Sequence, residues 1–216
     1  MRAWIQVLIS LSSIASTMPP TATLPSRGPS GRPQVICLAG FMGSGKTTVG
    51  TLLARQLAWR FVDLDERIEN SSGVTIPQFF ERFGELAFRQ LEADQLRSAL
   101  GRAFEDQSGT VLALGGGTYA QPGCPEFLRI ANVSVLWLDS PPEILLSRCM
   151  TMTGRPLFRD EESFRALYAQ RLSSYQLADH RIDSSVEPAQ AVAQILRLGI
   201  AGGASEAHLV VEKPTA

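Results

Sequence analysis

The stretch Val35-Ile-Cys-Leu-Ala39, followed directly by Gly40-Phe-Met-Gly-Ser-Gly-Lys-Thr47, decides the fold of this chain. Five consecutive apolar residues are typical of a strand that is buried on both faces of a sheet. The second half has the spacing of a phosphate-binding loop: glycine, four residues, glycine, lysine and threonine. In such a loop backbone N–H groups surround a phosphate, and the following helix adds its positive end. The pattern predicts a nucleoside triphosphate site built from a strand, this loop and a helix.

Two residues of the loop have distinct chemical tasks. The ammonium group of Lys46 is expected to reach the terminal phosphates, and the hydroxyl of Thr47 is expected to hold Mg²⁺. A glycine-rich helix start without a ligand is the alternative, but the position between a buried strand and a helix favours the site. The predicted ATP-binding residues of the loop are Gly43, Ser44, Gly45, Lys46, Thr47 and Thr48.

Strand and helix patterns alternate along the rest of the chain. Further strands are predicted at 61–63, 110–114, 133–138 and 181–183. Helices are predicted from Lys46, after Asp65, from Thr75 with a break at Gly84, over 85–100, from 141–142, over 163–177, and from Pro188 to near Gly199. This order predicts an α/β fold of three layers, in which helices cover both faces of a mostly parallel sheet of about five strands.

The composition of the 216 residues is that of a globular chain, with 44% apolar residues and a net charge of -1. Lysines and arginines form no long run, so we do not expect a protein that binds nucleic acid or a membrane surface. Cys37, Cys124 and Cys149 are widely spaced, which predicts reduced, structural cysteines. Because His180 and His208 are the only histidines, a histidine-based hydrolase or a zinc site is not expected.

The first 34 residues differ in character from the rest. They contain three arginines, no acidic residue, and many serines, threonines and prolines. The apolar stretch 4–14 is too short and too polar to span a membrane. Three interpretations stay open: a secretory signal, an organellar transit segment, or a disordered extension, with Met18 as a second candidate for the start of translation. We expect a cytoplasmic protein, because an ATP-using enzyme needs ATP, and an organelle is the alternative if residues 1–34 are a transit segment.

Polar residues behind the loop predict a second site, for a small acceptor. Asp63 and Asp65 follow the second strand, at the edge where open α/β sheets bind ligands. Arg89 and Glu92 lie three residues apart and share a helix face. Gly115-Gly-Gly117 ends the third strand, where bare backbone can approach a ligand. Each feature has a structural alternative. Asp65 could be a helix cap, Arg89 and Glu92 a surface ion pair, and the three glycines a flexible turn.

Other users of a phosphate-binding loop fit the sequence less well. A Ras-like GTPase would need a guanine-reading Asn-Lys-x-Asp motif, which this sequence does not contain. A motor or a helicase would normally be larger. The remaining class is a small kinase with a compact acceptor pocket.

The order of these motifs resembles the shikimate kinase family. Its members show a phosphate loop, Asp-x-Asp, Gly-Glu-x-x-Phe-Arg-x-x-Glu, Gly-Gly-Gly, Arg-Pro-Leu, and arginine with tyrosine four residues later. This chain has them in the same order at 40–47, 63–65, 84–92, 115–117, 155–157 and 171–175. The resemblance covers about 35–198. It implies a P-loop kinase domain over 35–199 with a mobile lid, and it leaves a flexible tail at 200–216.

The resemblance also implies a reaction and its partners. With Mg²⁺, the enzyme would transfer a phosphoryl group from ATP to the 3-hydroxyl of shikimate, giving 3-phosphoshikimate and ADP on the pathway to chorismate and the aromatic amino acids. A monomer is expected. A gluconate kinase or a nucleoside monophosphate kinase is the alternative enzyme, and a non-catalytic member of the family is an alternative from a different class.

Shikimate is a cyclohexene carboxylate with three hydroxyls, and the resemblance assigns groups to each part. Arg89 and Arg171 would clamp the carboxylate, for which the planar guanidinium is well suited. Asp65 would bind hydroxyls and could take the proton of the 3-hydroxyl, and Glu92 would hold Arg89. The other substrate-binding residues implied are Gly115, Gly116 and Gly117 through backbone N–H groups, and Phe80 and Phe88 along the ring.

On the nucleotide side, the resemblance places Arg155 in the lid, over the transferring phosphate, and Arg148 against adenine. Asp63 would act on Mg²⁺ through a water, beside Thr47. The implied catalytic residues are Lys46, Asp65 and Arg155. The chain departs from the family pattern at Ser173-Ser-Tyr175 and over 183–188, which concerns the nucleotide contacts rather than the catalytic groups.

Overall fold

The computed structural model describes residues 35–106, 108–151 and 160–201. The expectations for the extension 1–34, for Arg155 in the lid and for the tail beyond residue 201 lie outside these described residues. No helix within them is long and apolar enough to cross a membrane.

A five-stranded sheet forms the centre of the molecule. Its strands are β1 (Val35–Ala39), β2 (Arg60–Asp63), β3 (Thr110–Ala113), β4 (Ser134–Asp139) and β5 (His180–Asp183). Their order is β2-β3-β1-β4-β5, and each neighbouring pair is parallel. The predicted strands and the parallel α/β fold are therefore confirmed, with strand bounds that differ from the prediction by a residue or less at each end.

Seven helices connect and cover the strands in the described residues. They are α1 (Lys46–Leu57), α2 (Leu64–Ser72), α3 (Ile76–Glu105), α4 (Cys124–Ile130), α5 (Pro142–Thr151), α6 (Glu161–Tyr175) and α7 (Pro188–Arg197). The sequence patterns did not predict α4, because its seven residues span only two turns. The other helices lie where the patterns placed them, although α3 continues five residues beyond the predicted end.

Helix α3 begins and bends as its sequence indicates. The Thr75 side chain accepts the backbone N–H of Gln78, and the Gln78 side chain accepts that of Thr75, which completes a capping box. At Gly84 the backbone has φ 77° and ψ 174°, which interrupts the helical conformation. The bend lets one chain segment contribute Phe80 before it and Arg89 after it to the same cavity.

The core lies on both faces of the sheet, and β1 contributes to each. Cys37 belongs to the apolar cluster under α2, α3, α4 and α6, whereas Leu38 belongs to the cluster under α1 and α7. All five residues of β1 are at most 1% exposed, as expected for a central parallel strand. The three cysteines are free and buried, and burial raises the pKa of Cys124 well above its usual value, so its thiol stays protonated.

Helix α1 lies unusually close to the sheet at Gly50. A Cβ atom at this position would lie 2.4 Å from the Phe61 ring and 3.1 Å from Leu38 Cδ1. The missing side chain therefore allows the close approach of α1 to β1 and β2. Because α1 begins directly after the phosphate loop, this contact also fixes the height of the loop above the sheet.

We expect Gly50→Ala to lower the free energy of unfolding by about 1–3 kcal/mol, because the added methyl group overpacks the interface. Gly101→Ala is the matched control: Gly101 is an exposed glycine in α3, and a Cβ atom on it would meet nothing within 4 Å. The control should be stabilised by up to about 1 kcal/mol through helix propensity. Urea unfolding of both variants measures the difference, and equal stability of the two would contradict the packing argument.

Candidate active site

A cavity of about 880 Å³ lies at the carboxyl edge of the sheet. It brings together every predicted site residue of the described chain. From the nucleotide side these are Gly43, Ser44, Gly45, Lys46, Thr47, Thr48, Asp63 and Arg148, and from the acceptor side Asp65, Phe80, Phe88, Arg89, Glu92, Gly115, Gly116, Gly117 and Arg171. Their individual roles stay predictions, and Arg155 lies outside the described residues.

The phosphate loop follows β1 and depends on glycine. Gly43 has φ 78° and Gly45 has φ 86°, which are left-handed conformations that favour glycine. A Cβ atom on Gly43 would also lie 2.8 Å from the Leu145 carbonyl oxygen, so α5 packs directly against the loop. The Lys46 ammonium donates to the carbonyl oxygens of Gly40 at 2.9 Å and Phe41 at 3.0 Å. The lysine is thereby held across the inside of the loop.

Asp63 connects the phosphate loop to the end of β2. Its Oδ2 accepts the Thr47 hydroxyl at 2.7 Å, and its Oδ1 accepts the Asp65 backbone N–H at 3.0 Å. Asp63 is therefore the N-cap of α2. The alternative interpretation of Asp65 as that cap is wrong, because the strand ends at Asp63 and the helix already contains Asp65.

The Thr47–Asp63 pair has the donor chemistry that Mg²⁺ requires. Mg²⁺ binds proteins through one or two oxygen groups and completes its shell with substrate phosphates and water. In the described part of the chain, no group of three or more His, Cys, Asp and Glu side chains is placed to hold a metal. A hydroxyl and a carboxylate side by side at the phosphate loop fit a nucleotide-bound Mg²⁺ better than a metal held by protein alone.

Two arginines from different helices converge on the third glycine of the triple run. A Cβ atom on Gly117 would lie 3.1 Å from Arg171 Nη2 and 3.3 Å from Arg89 Nη2. Burial lowers the pKa of Arg171, and the nearby positive charge of Arg89 lowers it further. The Tyr175 hydroxyl acts in the other direction and raises the pKa of Arg171. Two like charges in this partly buried position create a site that favours an anion.

Arg89 is fixed by a buried ion pair. Its Nη1 lies 2.8 Å from Glu92 Oε2, and the two side chains are 13% and 1% exposed. The alternative interpretation as a surface ion pair is therefore wrong. The second oxygen of Glu92, Oε1, accepts the hydroxyl of Thr118 at 2.6 Å. The Arg89 guanidinium carbon also lies 5.2 Å from the Phe88 ring centre and 5.9 Å from that of Phe80.

The triple glycine positions side chains through its carbonyls and by close approach. The Gly116 carbonyl oxygen accepts Arg171 Nη1 at 3.1 Å and the Tyr175 hydroxyl at 2.5 Å. A Cβ atom on Gly115 would lie 2.6 Å from Asp65 Oδ1, so only glycine leaves room for this carboxylate. These contacts argue against the alternative interpretation of the triple glycine as a flexible turn.

Arg148 lines the same cavity and is held by backbone carbonyls. Its Nη1 donates to the carbonyl oxygens of Ser184 at 2.9 Å and Gly43 at 3.3 Å. It therefore ties the phosphate loop to the turn after β5, where the sequence departs from the family pattern. Val186 and Pro188 line the cavity beside it, which gives this part of the cavity an apolar surface suited to a flat base.

Sequence reasoning missed several residues of the site. Thr118 was not predicted, because a threonine after a run of glycines has no distinctive sequence pattern. Tyr175 belongs to the motif of an arginine with a tyrosine four residues later, but that spacing does not predict its hydrogen bond to the Gly116 carbonyl. Glu69 lines the cavity and accepts the backbone N–H of Ile76 at 2.9 Å, which joins the end of α2 to the start of α3. No spacing rule connects residues in two such helices.

Comparison with known proteins decides the family. A sequence profile of shikimate kinases matches residues 42–198. The chain belongs to the shikimate kinase family. Shikimate kinases from Geobacter sulfurreducens and Aquifex aeolicus are 42% and 36% identical to it, over 69% and 78% of this chain and 81% and 97% of their own sequences. The resemblance drawn from the motifs is therefore confirmed.

Solved structures of shikimate kinases share the fold. The enzyme from Aquifex aeolicus has a TM-score of 0.68 at 35% identity, covering 78% of this chain and 99% of that one. A shikimate kinase from Acinetobacter baumannii, in complex with shikimate, has a TM-score of 0.70 at 35% identity, covering 79% and 95%. A deoxyadenosine kinase from M. mycoides, at 15% identity and a TM-score of 0.52, is similar in fold alone.

We expect Tyr175→Phe to lower the free energy of unfolding by about 1 kcal/mol, because the buried Tyr175 side chain loses its short hydrogen bond to the Gly116 carbonyl. Tyr168→Phe is the matched control on the same helix, since its hydroxyl is 3.5 Å from Asp139 Oδ1 and only half-buried. Urea denaturation should leave the control within about 0.5 kcal/mol of the wild type. If both variants behave alike, the Tyr175 hydrogen bond does not stabilise the site.

Proposed function

We propose that this protein transfers the terminal phosphoryl group of ATP to the 3-hydroxyl of shikimate, giving 3-phosphoshikimate and ADP. The observation that carries the proposal is the convergence of Arg89 and Arg171 on Gly117, inside the cavity that also holds the phosphate loop. A phosphate loop alone indicates the donor. A partly buried pair of guanidinium groups beside it indicates an acceptor that carries a carboxylate.

On the donor side, the loop binds the phosphates and α1 adds its positive end. Lys46 exchanges its bonds to the loop carbonyls for bonds to the β- and γ-phosphates. Thr47 and Asp63, which lie 2.7 Å apart, would hold Mg²⁺, with Asp63 acting through a water. When bound, Mg²⁺ neutralises charge on the phosphates. Arg148, already fixed to the Gly43 carbonyl, packs against adenine.

On the acceptor side, the two arginines bind the shikimate carboxylate and so fix one end of the ring. Phe80 and Phe88, whose ring centres are 4.4 Å apart, contact its apolar face. Asp65 Oδ1 lies against Gly115, where it accepts hydrogen bonds from the ring hydroxyls and can receive the proton of the 3-hydroxyl. Because phosphoryl transfer depends mainly on positioning and charge stabilisation, we assign this proton transfer a modest share of the rate.

Arg155 completes the proposed catalytic set with Lys46 and Asp65. It belongs to the Arg-Pro-Leu motif at 155–157. An arginine brought over the transferring phosphate stabilises its negative charge and helps to exclude water, which limits hydrolysis of ATP.

We propose a monomer as the working unit. We propose a cytoplasmic location because the reaction consumes ATP, with an ATP-containing organelle as the alternative if residues 1–34 are a transit segment. Gluconate and nucleoside monophosphate kinases would not need the Arg89–Arg171 pair beside a triple glycine. A non-catalytic role is disfavoured because Lys46, Asp65 and Arg89 are all retained.

A coupled assay of ADP release tests the reaction. We expect turnover with ATP, Mg²⁺ and shikimate, and none when EDTA removes the metal. Gluconate and nucleoside monophosphates serve as rival acceptors under the same conditions. Turnover with a rival but not with shikimate would refute the proposed acceptor.

Arg89→Ala should raise the KM for shikimate at least tenfold while ATP binding persists, because a charge-assisted hydrogen bond to the carboxylate is lost. The substitution also leaves Glu92 buried without its ion-pair partner. Arg89→Lys therefore serves as a second variant, since it keeps a charge for Glu92 but lacks the planar fork. Steady-state kinetics with each substrate varied in turn gives both KM values.

The matched control for these variants is Arg129→Ala. Arg129 also pairs with a glutamate three residues away, Glu126, but its side chain is 73% exposed. We expect both KM values to stay within twofold of the wild type. An equal loss of affinity for ATP and shikimate in Arg89→Ala would show that the arginine does not belong to the acceptor site.

A further inference from the structure

We propose that Thr118 is a positioning residue for the acceptor: its hydroxyl holds Glu92, and through Glu92 it keeps Arg89 turned inward to the substrate carboxylate. The inference rests on the proposed shikimate kinase activity and deepens it. Thr118 belongs to none of the sequence motifs that identified the site. It follows the triple glycine directly, and its side chain is fully buried.

Glu92 is the link between Thr118 and Arg89. Its carboxylate is 1% exposed, so each of its oxygens needs a partner within the protein. Oε2 lies 2.8 Å from Arg89 Nη1, and Oε1 accepts the Thr118 hydroxyl at 2.6 Å. The two contacts use both oxygens and fix the plane of the carboxylate. That plane in turn fixes the direction of the Arg89 guanidinium.

The backbone holds Thr118 in place for this contact. Its N–H donates to the Gly115 carbonyl at 3.1 Å, and its own carbonyl accepts the Gln121 N–H at 3.1 Å. A Cβ atom on Gly115 would lie 2.7 Å from Thr118 Oγ1 and 3.2 Å from Glu92 Oε1. The hydroxyl is thus confined between the carboxylate and the turn that follows β3.

Arg89 has a second carboxylate within reach, and this gives Thr118 its importance. Arg89 Nη2 lies 3.4 Å from Glu85 Oε1, and the Glu85 side chain is 71% exposed. Arg89 thus contacts two carboxylates through different nitrogens: the largely exposed Glu85 and the buried Glu92, which lines the cavity. The Thr118 hydrogen bond holds Glu92 in the orientation that pairs with Arg89, which favours this contact over the one with Glu85. Without it, the buried oxygen loses its donor and the carboxylate is free to turn.

Thr118→Val tests the role of the hydroxyl with little change in volume. We expect the KM for shikimate to rise about tenfold, as for the loss of one hydrogen bond to a charged group, while the KM for ATP stays within twofold. Thr118→Ser restores the hydroxyl and should return the KM for shikimate to within twofold of the wild type. If Thr118→Val does not fold, Thr118→Ala takes its place, because it removes the hydroxyl without putting a methyl group there. We expect the same rise in the KM for shikimate.

Thr110→Val is the control for removal of a buried threonine hydroxyl. Thr110 is the first residue of β3, at the opposite end of the strand, and its hydroxyl is buried without a hydrogen-bond partner. We expect neither KM to change by more than twofold. The comparison separates a general effect of losing a buried hydroxyl from a specific effect on the acceptor.

Glu85→Gln tests the competition itself. Alone it should leave both KM values unchanged, and combined with Thr118→Val it should recover at least half of the lost affinity for shikimate. A merely structural role for Thr118 would not respond to a substitution at an exposed glutamate. Absence of this recovery, failure of Thr118→Ser to rescue, or an equal rise of both KM values would overturn the proposal. If the wild type itself does not phosphorylate shikimate, the proposed function fails first, independently of Thr118.

Discussion

The site depends on the burial of β1 at the centre of a parallel sheet. Parallel strands all end at the same edge, so the loops that follow β1, β2 and β3 must meet there. They deliver the phosphate loop, Asp63 with Asp65, and the triple glycine to one cavity. Residues that are far apart in the sequence become neighbours because of this single topological constraint. The donor and acceptor sites are therefore two halves of one sheet edge.

The acceptor half balances repulsion between like charges against pairing with a carboxylate. Arg89 and Arg171 come together near Gly117, and only Arg89 has an ion-pair partner among the contacts described above. Arg171 is held instead by a neutral carbonyl, that of Gly116. Because Glu92 is the buried partner and Glu85 is largely exposed to solvent, the pair keeps a net positive charge in a partly buried place. Such a site favours a bound anion, because the anion supplies the charge that the protein does not.

Local patterns predicted the strands, the capping box at Thr75 and the phosphate loop, because each depends on residues close together in the sequence. The motif order also led to the family. Spacing could not decide which aspartate caps α2, since both positions stand at the strand end, and Asp63 is the cap. The sequence also could not show that the Arg89–Glu92 pair is buried, because this burial comes from the contact of α3 with the turn after β3.

Other features stay predictions for a different reason. The lid residue Arg155 and the extension 1–34 lie outside the described residues, and no contact bears on either. The roles of the cavity residues are inferred from position and chemistry. Thr118 shows how a residue type that is common in turns becomes important only when a buried carboxylate from another element faces it.

The two hydrogen bonds that Lys46 makes to the Gly40 and Phe41 carbonyls have a thermodynamic consequence. Nucleotide binding is an exchange reaction, in which the ammonium leaves two neutral acceptors for charged phosphate oxygens. Only the difference between these interactions contributes to the affinity. A lysine that is satisfied in both states also lowers the free-energy cost of product departure, because its ammonium regains the Gly40 and Phe41 carbonyls when ADP leaves.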